Sequence, residues 1–140
     1  LRGEKIQDLV DFSYYYADML TGLRHSKMID ILIDRSKKHR IAIISGGLSI
    51  YIRAFFEKMQ LSDCLSIVAN ELEESEGFVT GRYTSKDCMG PEKVTRLLME
   101  FGDGIDIAEV YSDCRSDMPL FSLANKAFLV KGEGQLYDIT

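Results

Sequence analysis

Apolar residues follow two patterns along the chain. A helical spacing predicts helices, and short continuous runs predict strands. From residue 5 to 20 they return every three or four positions, which predicts an amphipathic helix. A second helix is predicted from Ser26 to the basic cluster at 37–40, because cations favour a helix carboxyl end. Further helices are predicted from Leu48 and from Gly90-Pro91, since proline suits a first turn.

Short, continuous apolar runs alternate with these helices. Such runs are typical of strands that are buried on both faces of a parallel sheet. Strands are predicted over residues 41–44, 66–70, 107–111 and 127–130. A short hairpin or extended excursion is predicted over residues 78–83, around Gly81, and a short helix from Asp117 through Leu123. Because strands and helices alternate, the sequence predicts an α/β fold with a doubly wound, mostly parallel sheet.

Polar residues follow several of the predicted strands. In doubly wound folds ligands bind at the carboxyl ends of the strands, so Ser45, Asn70 and Asp113 are candidates for a binding site. Ser45, Gly46 and Gly47 place a hydroxyl and unhindered backbone N–H groups where a strand turns into a helix, which suits phosphate binding. The same residues are equally typical of an ordinary helix cap.

Charged residues in the second half of the chain add to this pattern. Lys93 lies in a predicted first turn, where the helix dipole disfavours a cation, so the lysine either serves a bound anion or is simply solvated. Asp113 and Asp117 flank a strand end and a helix start, and two such carboxylates can hold Mg²⁺. The alternative is a plain strand-end aspartate followed by a helix cap.

Composition narrows the class of partner. A formal net charge of −5 argues against nucleic acid or an anionic membrane as the main partner, but not against a small anionic substrate. Three cysteines without a CxxC pair disfavour a disulfide framework or a structural zinc site. No apolar run approaches ~18 residues, so no membrane span is predicted, and a cytoplasmic location is expected. The oligomeric state stays open.

Three motifs, in order, resemble those of haloacid dehalogenase-like hydrolases. They are Ile-Ile-Ser-Gly-Gly at 43–47, Asp-Cys-Met-Gly-Pro-Glu-Lys-Val at 87–94 and Tyr-Ser-Asp-Cys-Arg-Ser-Asp at 111–117. Val-Ala-Asn-Glu-Leu at 68–72, followed by Thr80-Gly81, is similar to the phosphoserine-phosphatase-like members of that family. The resemblance extends from about Met28 to Val130.

The resemblance implies Mg²⁺-dependent hydrolysis of a small phosphomonoester through an aspartyl-phosphate intermediate. It implies a Rossmann-like core, with Lys93 and Asp113 as catalytic residues. Asp113 and Asp117 would bind the metal, Asp117 directly or through water. The residues that would bind phosphate are Ser45, Gly46, Gly47 and Lys93.

Two departures from the family pattern stand out. Ser112 occupies a position where the family usually has glycine, and the nucleophile motif DxDx[TV] occurs nowhere in the sequence. We therefore expect the nucleophile to lie outside this chain and the amino terminus to be cut. Residues 1–24 would be the remnant of a helical cap, and residues 25–140 a core without its first strand. A non-catalytic phosphate-binding module of the same fold is the alternative.

Overall fold

The computed structural model describes residues 1–20 and 26–140, which form a mixed arrangement of helices and strands. The helices are α1 Ile6–Leu20, α2 Ser26–Ser36, α3 Ser49–Lys58, α4 Pro91–Phe101 and α5 Met118–Phe121. The strands are β1 Ile41–Leu48, β2 Leu65–Asn70, β3 Leu72–Ser75, β4 Phe78–Tyr83, β5 Ile107–Ser112, β6 Ala124–Lys131 and β7 Gln135–Asp138. The predicted α/β class is confirmed.

The strands form three hydrogen-bonded groups. β1 pairs in parallel with β2, and β5 pairs in parallel with β6, as the apolar runs predicted. β6 also pairs with β7, and β3 with β4, both antiparallel. Within the described residues no strand joins β1 to β5. A single doubly wound sheet therefore stays a prediction.

The end of β1 differs from its prediction. The strand was predicted to stop at Ile44, but it continues to Leu48, and α3 begins only at Ser49. Ile44 pairs with Val68 and Leu48 with Asn70, so Ser45, Gly46 and Gly47 stand opposite the single residue between those partners. These three residues form a bulge, called the 45–47 bulge below. Extra residues in one strand bend it locally and redirect its side chains, which is common next to binding sites.

Two strands were not predicted. β7 returns antiparallel to β6 after a turn in which Gly132 and Gly134 have φ of 56° and 100°, a backbone conformation that favours glycine. β3 precedes β4 in a hairpin whose second strand alone was predicted. Phe121 of α5 packs with Ala127 and Leu129 of β6 in a buried apolar cluster.

The amino-terminal residues are tied to this hairpin. Gly3 N–H donates to the Val79 carbonyl at 2.7 Å, and Val79 N–H donates to the Glu4 carbonyl at 2.8 Å. Helix α1 then packs along α3 and buries Leu9 and Ala17. The boundary predicted at 24/25 lies outside the described residues, so the division into cap remnant and core stays a prediction. In the part of the chain that is described, no helix is long and apolar enough to cross a membrane.

Candidate functional site

A buried ion pair lies at the centre of the candidate site. Lys93 Nζ donates to Asp117 Oδ1 at 2.8 Å, and the two side chains are only 11% and 7% exposed. Ser112 Oγ donates to the other carboxylate oxygen, Asp117 Oδ2, at 2.6 Å. The alternative that Lys93 is simply solvated is therefore wrong. Asp117 does occupy the N-cap position of α5, but its carboxylate makes no capping bond.

This pairing leaves Lys93 with unused hydrogen-bonding capacity. Two buried charges are tolerated when they pair closely and when their remaining polar atoms find partners. Both oxygens of Asp117 accept a hydrogen bond. A lysine ammonium has three N–H donors, and the bond to Asp117 uses one of them. Lys93 can therefore keep its place beside Asp117 and also donate to an anion.

The 45–47 bulge contains its own hydrogen bond. Gly47 N–H donates to Ser45 Oγ at 2.9 Å, so the Gly47 amide has a partner within the bulge. Because a hydroxyl can donate while it accepts, the Ser45 O–H group is available to an incoming oxygen atom. A Cβ atom on Gly46 would collide with the Met89 side chain and lie 3.3 Å from the Cys88 carbonyl oxygen. Glycine at 46 thus allows the bulge to approach the segment that leads into α4.

Asp113 directly follows Ser112 at the end of β5. Its side chain is exposed and has no hydrogen-bond or ion-pair partner among the described residues. Mg²⁺ is commonly bound through one or two carboxylates, keeps several waters and takes its other ligands from substrate phosphate. One unengaged carboxylate at a strand end fits this requirement. Residues 1–20 and 26–140 contain no group of three or more His, Cys, Asp or Glu side chains that could hold a metal ion by themselves.

The predicted site residues are therefore linked in two groups. Lys93 forms an ion pair with Asp117. Asp113 directly follows Ser112, whose hydroxyl is hydrogen-bonded to Asp117. The 45–47 bulge contacts Cys88 and Met89, just before the helix that carries Lys93. The roles assigned to these residues stay predictions.

Two contributors were missed from the sequence. Ser112 was noted only as a departure from the family glycine, yet its hydroxyl orients Asp117. Arg96 lies one turn after Lys93 on α4 and donates from Nη2 to the Ala69 carbonyl at 2.8 Å, which ties α4 to the end of β2. Its spacing of three from Lys93 was the only sequence signal that the two share a helix face.

A cavity of about 350 Å³ lies between α1, α3 and the β3–β4 hairpin. Ser49, the first residue of α3, lines it together with Arg53 and Glu71, whose side chains pair at 2.8 Å. Burial raises the pKa of Glu71, but hydrogen bonds from Ser49 and Arg53 outweigh burial, so the pKa lies below its ordinary value. Glu71 is therefore ionised at neutral pH, and the cavity contains a charged Arg53–Glu71 pair.

The cysteines near the site differ in accessibility. Cys88 is fully buried, and burial raises the pKa of its thiol, whereas Cys114 is exposed beside Asp113. Because the thiolate is the reactive form, we expect iodoacetamide at pH 7.5 to alkylate Cys114 and to spare Cys88 until the chain unfolds. Mass spectrometry of digested protein locates the label. Alkylation of Cys88 in the folded chain would show that this segment is open.

Comparison with known families gives a match over most of the chain. A family model described as haloacid dehalogenase-like hydrolase matches residues 1–122. That range contains the 45–47 bulge, Lys93, Asp113 and Asp117. No curated protein sequence matches the chain.

Proposed function

The chain belongs to the haloacid dehalogenase-like hydrolase family, and on this premise we propose that it forms most of a Mg²⁺-dependent phosphomonoesterase that acts on a small phosphorylated substrate. The observation that carries this proposal is the buried Lys93–Asp117 pair, at 2.8 Å. Phosphoryl transfer depends mainly on positioning and on neutralisation of negative charge. A lysine that is held in place, shielded from water and left with free donors meets both needs.

The phosphoryl group would lie between the 45–47 bulge and Lys93. Ser45 would donate its hydroxyl hydrogen to one phosphoryl oxygen, while Lys93 would donate to another. Gly46 and Gly47 would contribute through their backbone, and Gly46 lets the bulge pack against Met89, whose side chain lies where a Cβ atom would stand. This assignment is supported by the contact of Gly46 with the Cys88–Met89 segment, which brings the bulge beside the start of α4.

Asp113 would bind Mg²⁺, with Asp117 supporting the metal shell through water. When bound, the ion would neutralise charge on the phosphoryl oxygens. The proposal is supported by the unengaged carboxylate of Asp113, and a water-mediated role suits Asp117 because its oxygens already accept from Lys93 and Ser112. Both residues would be held by the turn that follows β5.

The attacking carboxylate of the aspartyl-phosphate mechanism would come from outside these 140 residues, because the sequence contains no DxDx[TV] motif. Asp117 is unsuited to attack, since it is buried and both its oxygens have partners. In the described part of the chain, β1 and β5 each pair along one edge only. A strand with the nucleophile could add to these free edges. Residues 1–24 would then be a cap remnant beside the core at 25–140.

The subgroup and location are further parts of the proposal. The Val68–Leu72 stretch with Thr80-Gly81 favours a phosphoserine-phosphatase-like member. In the described structure Thr80 Oγ1 donates to Glu73 Oε2 at 2.6 Å, which joins the two strands of the β3–β4 hairpin. The free cysteines suit a reducing compartment, so the cytoplasm is the proposed location.

The metal assignment gives a direct test. We expect Asp113→Asn to weaken Mg²⁺ binding by at least about 10-fold, because a neutral amide replaces the only proposed carboxylate ligand that is not already hydrogen-bonded. Isothermal titration of the chain with Mg²⁺, in the presence of inorganic phosphate, measures the change. Asp103→Asn is the matched control, since Asp103 is exposed and precedes β5 at its opposite end. Equal Mg²⁺ affinity in the two variants would remove Asp113 from the metal site.

A further inference from the structure

Asn70, the last residue of β2, is a polar side chain in a buried position. It is 1% exposed, and both polar atoms of its side-chain amide form hydrogen bonds. Nδ2 donates to the Gly46 carbonyl at 2.9 Å and to Asp87 Oδ1 at 2.8 Å. Oδ1 accepts from the Cys88 N–H group at 2.9 Å. One side chain therefore connects the 45–47 bulge to the segment that enters α4.

These partners are separated in sequence but adjacent in the site. Gly46 belongs to the proposed phosphate-binding bulge, and Cys88 lies shortly before Pro91, the first residue of the helix that carries Lys93. The Arg96 bond to the Ala69 carbonyl, at 2.8 Å, anchors the same helix one residue before Asn70. The end of β2 thus contacts both sides of the site while contributing no group to the phosphate itself.

The chemistry of this position favours a role in geometry. A buried asparagine costs free energy unless each polar atom finds a partner, and a satisfied network fixes the relative placement of the groups that it joins. An apolar residue at 70 would leave the Gly46 carbonyl and the Cys88 N–H group without this partner. The Met89 side chain lies where a Cβ atom on Gly46 would stand, so the two segments that Asn70 joins are closely packed.

We propose that Asn70 is a positioning residue, which fixes the 45–47 bulge relative to the start of α4 so that Ser45 and Lys93 can bind the same phosphate. The inference rests on the proposed function and deepens it. Asn70 acts through Gly46 and Cys88. Loss of its hydrogen bonds would shift the two phosphate-binding groups apart without removing either one.

A double-mutant cycle between Asn70 and Ser45 tests this role, with inorganic phosphate as the probe and backbone amide NMR of the 140-residue chain as the readout. We expect Ser45→Ala alone to weaken phosphate binding by about 10-fold, the effect of one hydrogen bond to a charged group. Asn70→Ala alone is expected to weaken it by about 10-fold as well. In the Asn70→Ala background, Ser45→Ala is expected to add less than about 3-fold, because the bulge is already displaced.

Two further variants serve as a control and as an alternative to the alanine substitution. Asn125→Ala is the matched control, because Asn125 donates to Asp106 at 2.9 Å on the surface, and it should leave phosphate affinity unchanged. Asn70→Ser is uncharged and its shorter side chain cannot hold all three partners, so it serves if the alanine variant does not fold. It too is expected to weaken binding by about 10-fold.

The outcomes distinguish failure of the positioning role of Asn70 from failure of the proposed function. Non-additive effects of Asn70 and Ser45 would support the positioning role. Additive effects, as from a general loss of stability, would overturn it and leave the proposed function standing. Failure of the unaltered chain to bind phosphate would instead overturn the proposed function, and with it the site that Asn70 is inferred to position.

Discussion

Replacing Lys93 with methionine is expected to destabilise the chain by about 3–5 kcal/mol, because the buried Asp117 carboxylate would lose its compensating charge. Its other hydrogen bond, from Ser112, cannot neutralise it. A loss of this size is a large fraction of the ~5–15 kcal/mol that stabilises a typical domain. Urea unfolding followed by circular dichroism measures it.

The double variant Lys93→Met/Asp117→Asn removes both charges and is expected to regain most of the lost stability. Lys38→Met is the matched control, because Lys38 is exposed in the turn after α2, and surface substitutions usually change stability by less than about 0.5 kcal/mol. If Lys93→Met were as mild as Lys38→Met, the buried pair would not exist in solution.

The same substitution has a catalytic consequence. In a version of the protein with its nucleophile, Lys93→Met is expected to lower kcat by roughly 10²–10³-fold, the usual cost of losing one preorganised charge-stabilising group. Because loss of the buried ion pair also lowers stability, turnover has to be normalised to the folded fraction. A near-normal kcat per folded molecule would remove Lys93 from the phosphate site.

The 140-residue chain alone is expected not to hydrolyse phosphate esters. In the proposed site Ser45 and Lys93 would position a phosphate and Asp113 would bind Mg²⁺, but none of them would supply the attacking carboxylate. Covalent catalysis divides one difficult displacement into two easier steps, and this route is closed without the nucleophile. The free edges of β1 and β5 also favour instability or association of the isolated chain.

Hydrolysis of p-nitrophenyl phosphate with Mg²⁺ tests this expectation and the proposed function together. The comparison is with a version in which a strand carrying DxDx[TV] from another haloacid dehalogenase-like hydrolase is joined before Leu1. Turnover only in the extended version would support the proposal. Comparable turnover in both would place the nucleophile within these residues. Phosphate binding without turnover in either would favour the non-catalytic module.

Local sequence signals predicted most of the regular structure. Gly90-Pro91 marked the start of α4, and the apolar runs marked β1, β2, β5 and β6. The end of β1 was misplaced because Ser45-Gly46-Gly47 is equally compatible with a helix start and with a strand bulge. Only pairing with β2 decides between them, and that pairing is a tertiary interaction.

The candidate site was predicted as separate residues and not as a network. Lys93 and Asp117 were assigned to different ligands, although the structure pairs them across 24 positions. Asn70 was noticed as a polar strand end, but its partners lie 24, 17 and 18 positions away, which no local pattern reveals. Residue type and spacing identify what can react; burial and partners decide which residues act together.

The pairing of the amino-terminal residues with the β3–β4 hairpin sets an order of folding. Gly3 and Glu4 exchange hydrogen bonds with Val79, across about 75 positions of chain. The entropy of closing so long a loop must be overcome before these bonds contribute, so contacts of this range form late. Helix α1 begins directly after these paired residues, at Ile6, and packs along α3. In native-state hydrogen exchange, the amides of α1 and β4 are therefore expected to open together as one cooperative unit.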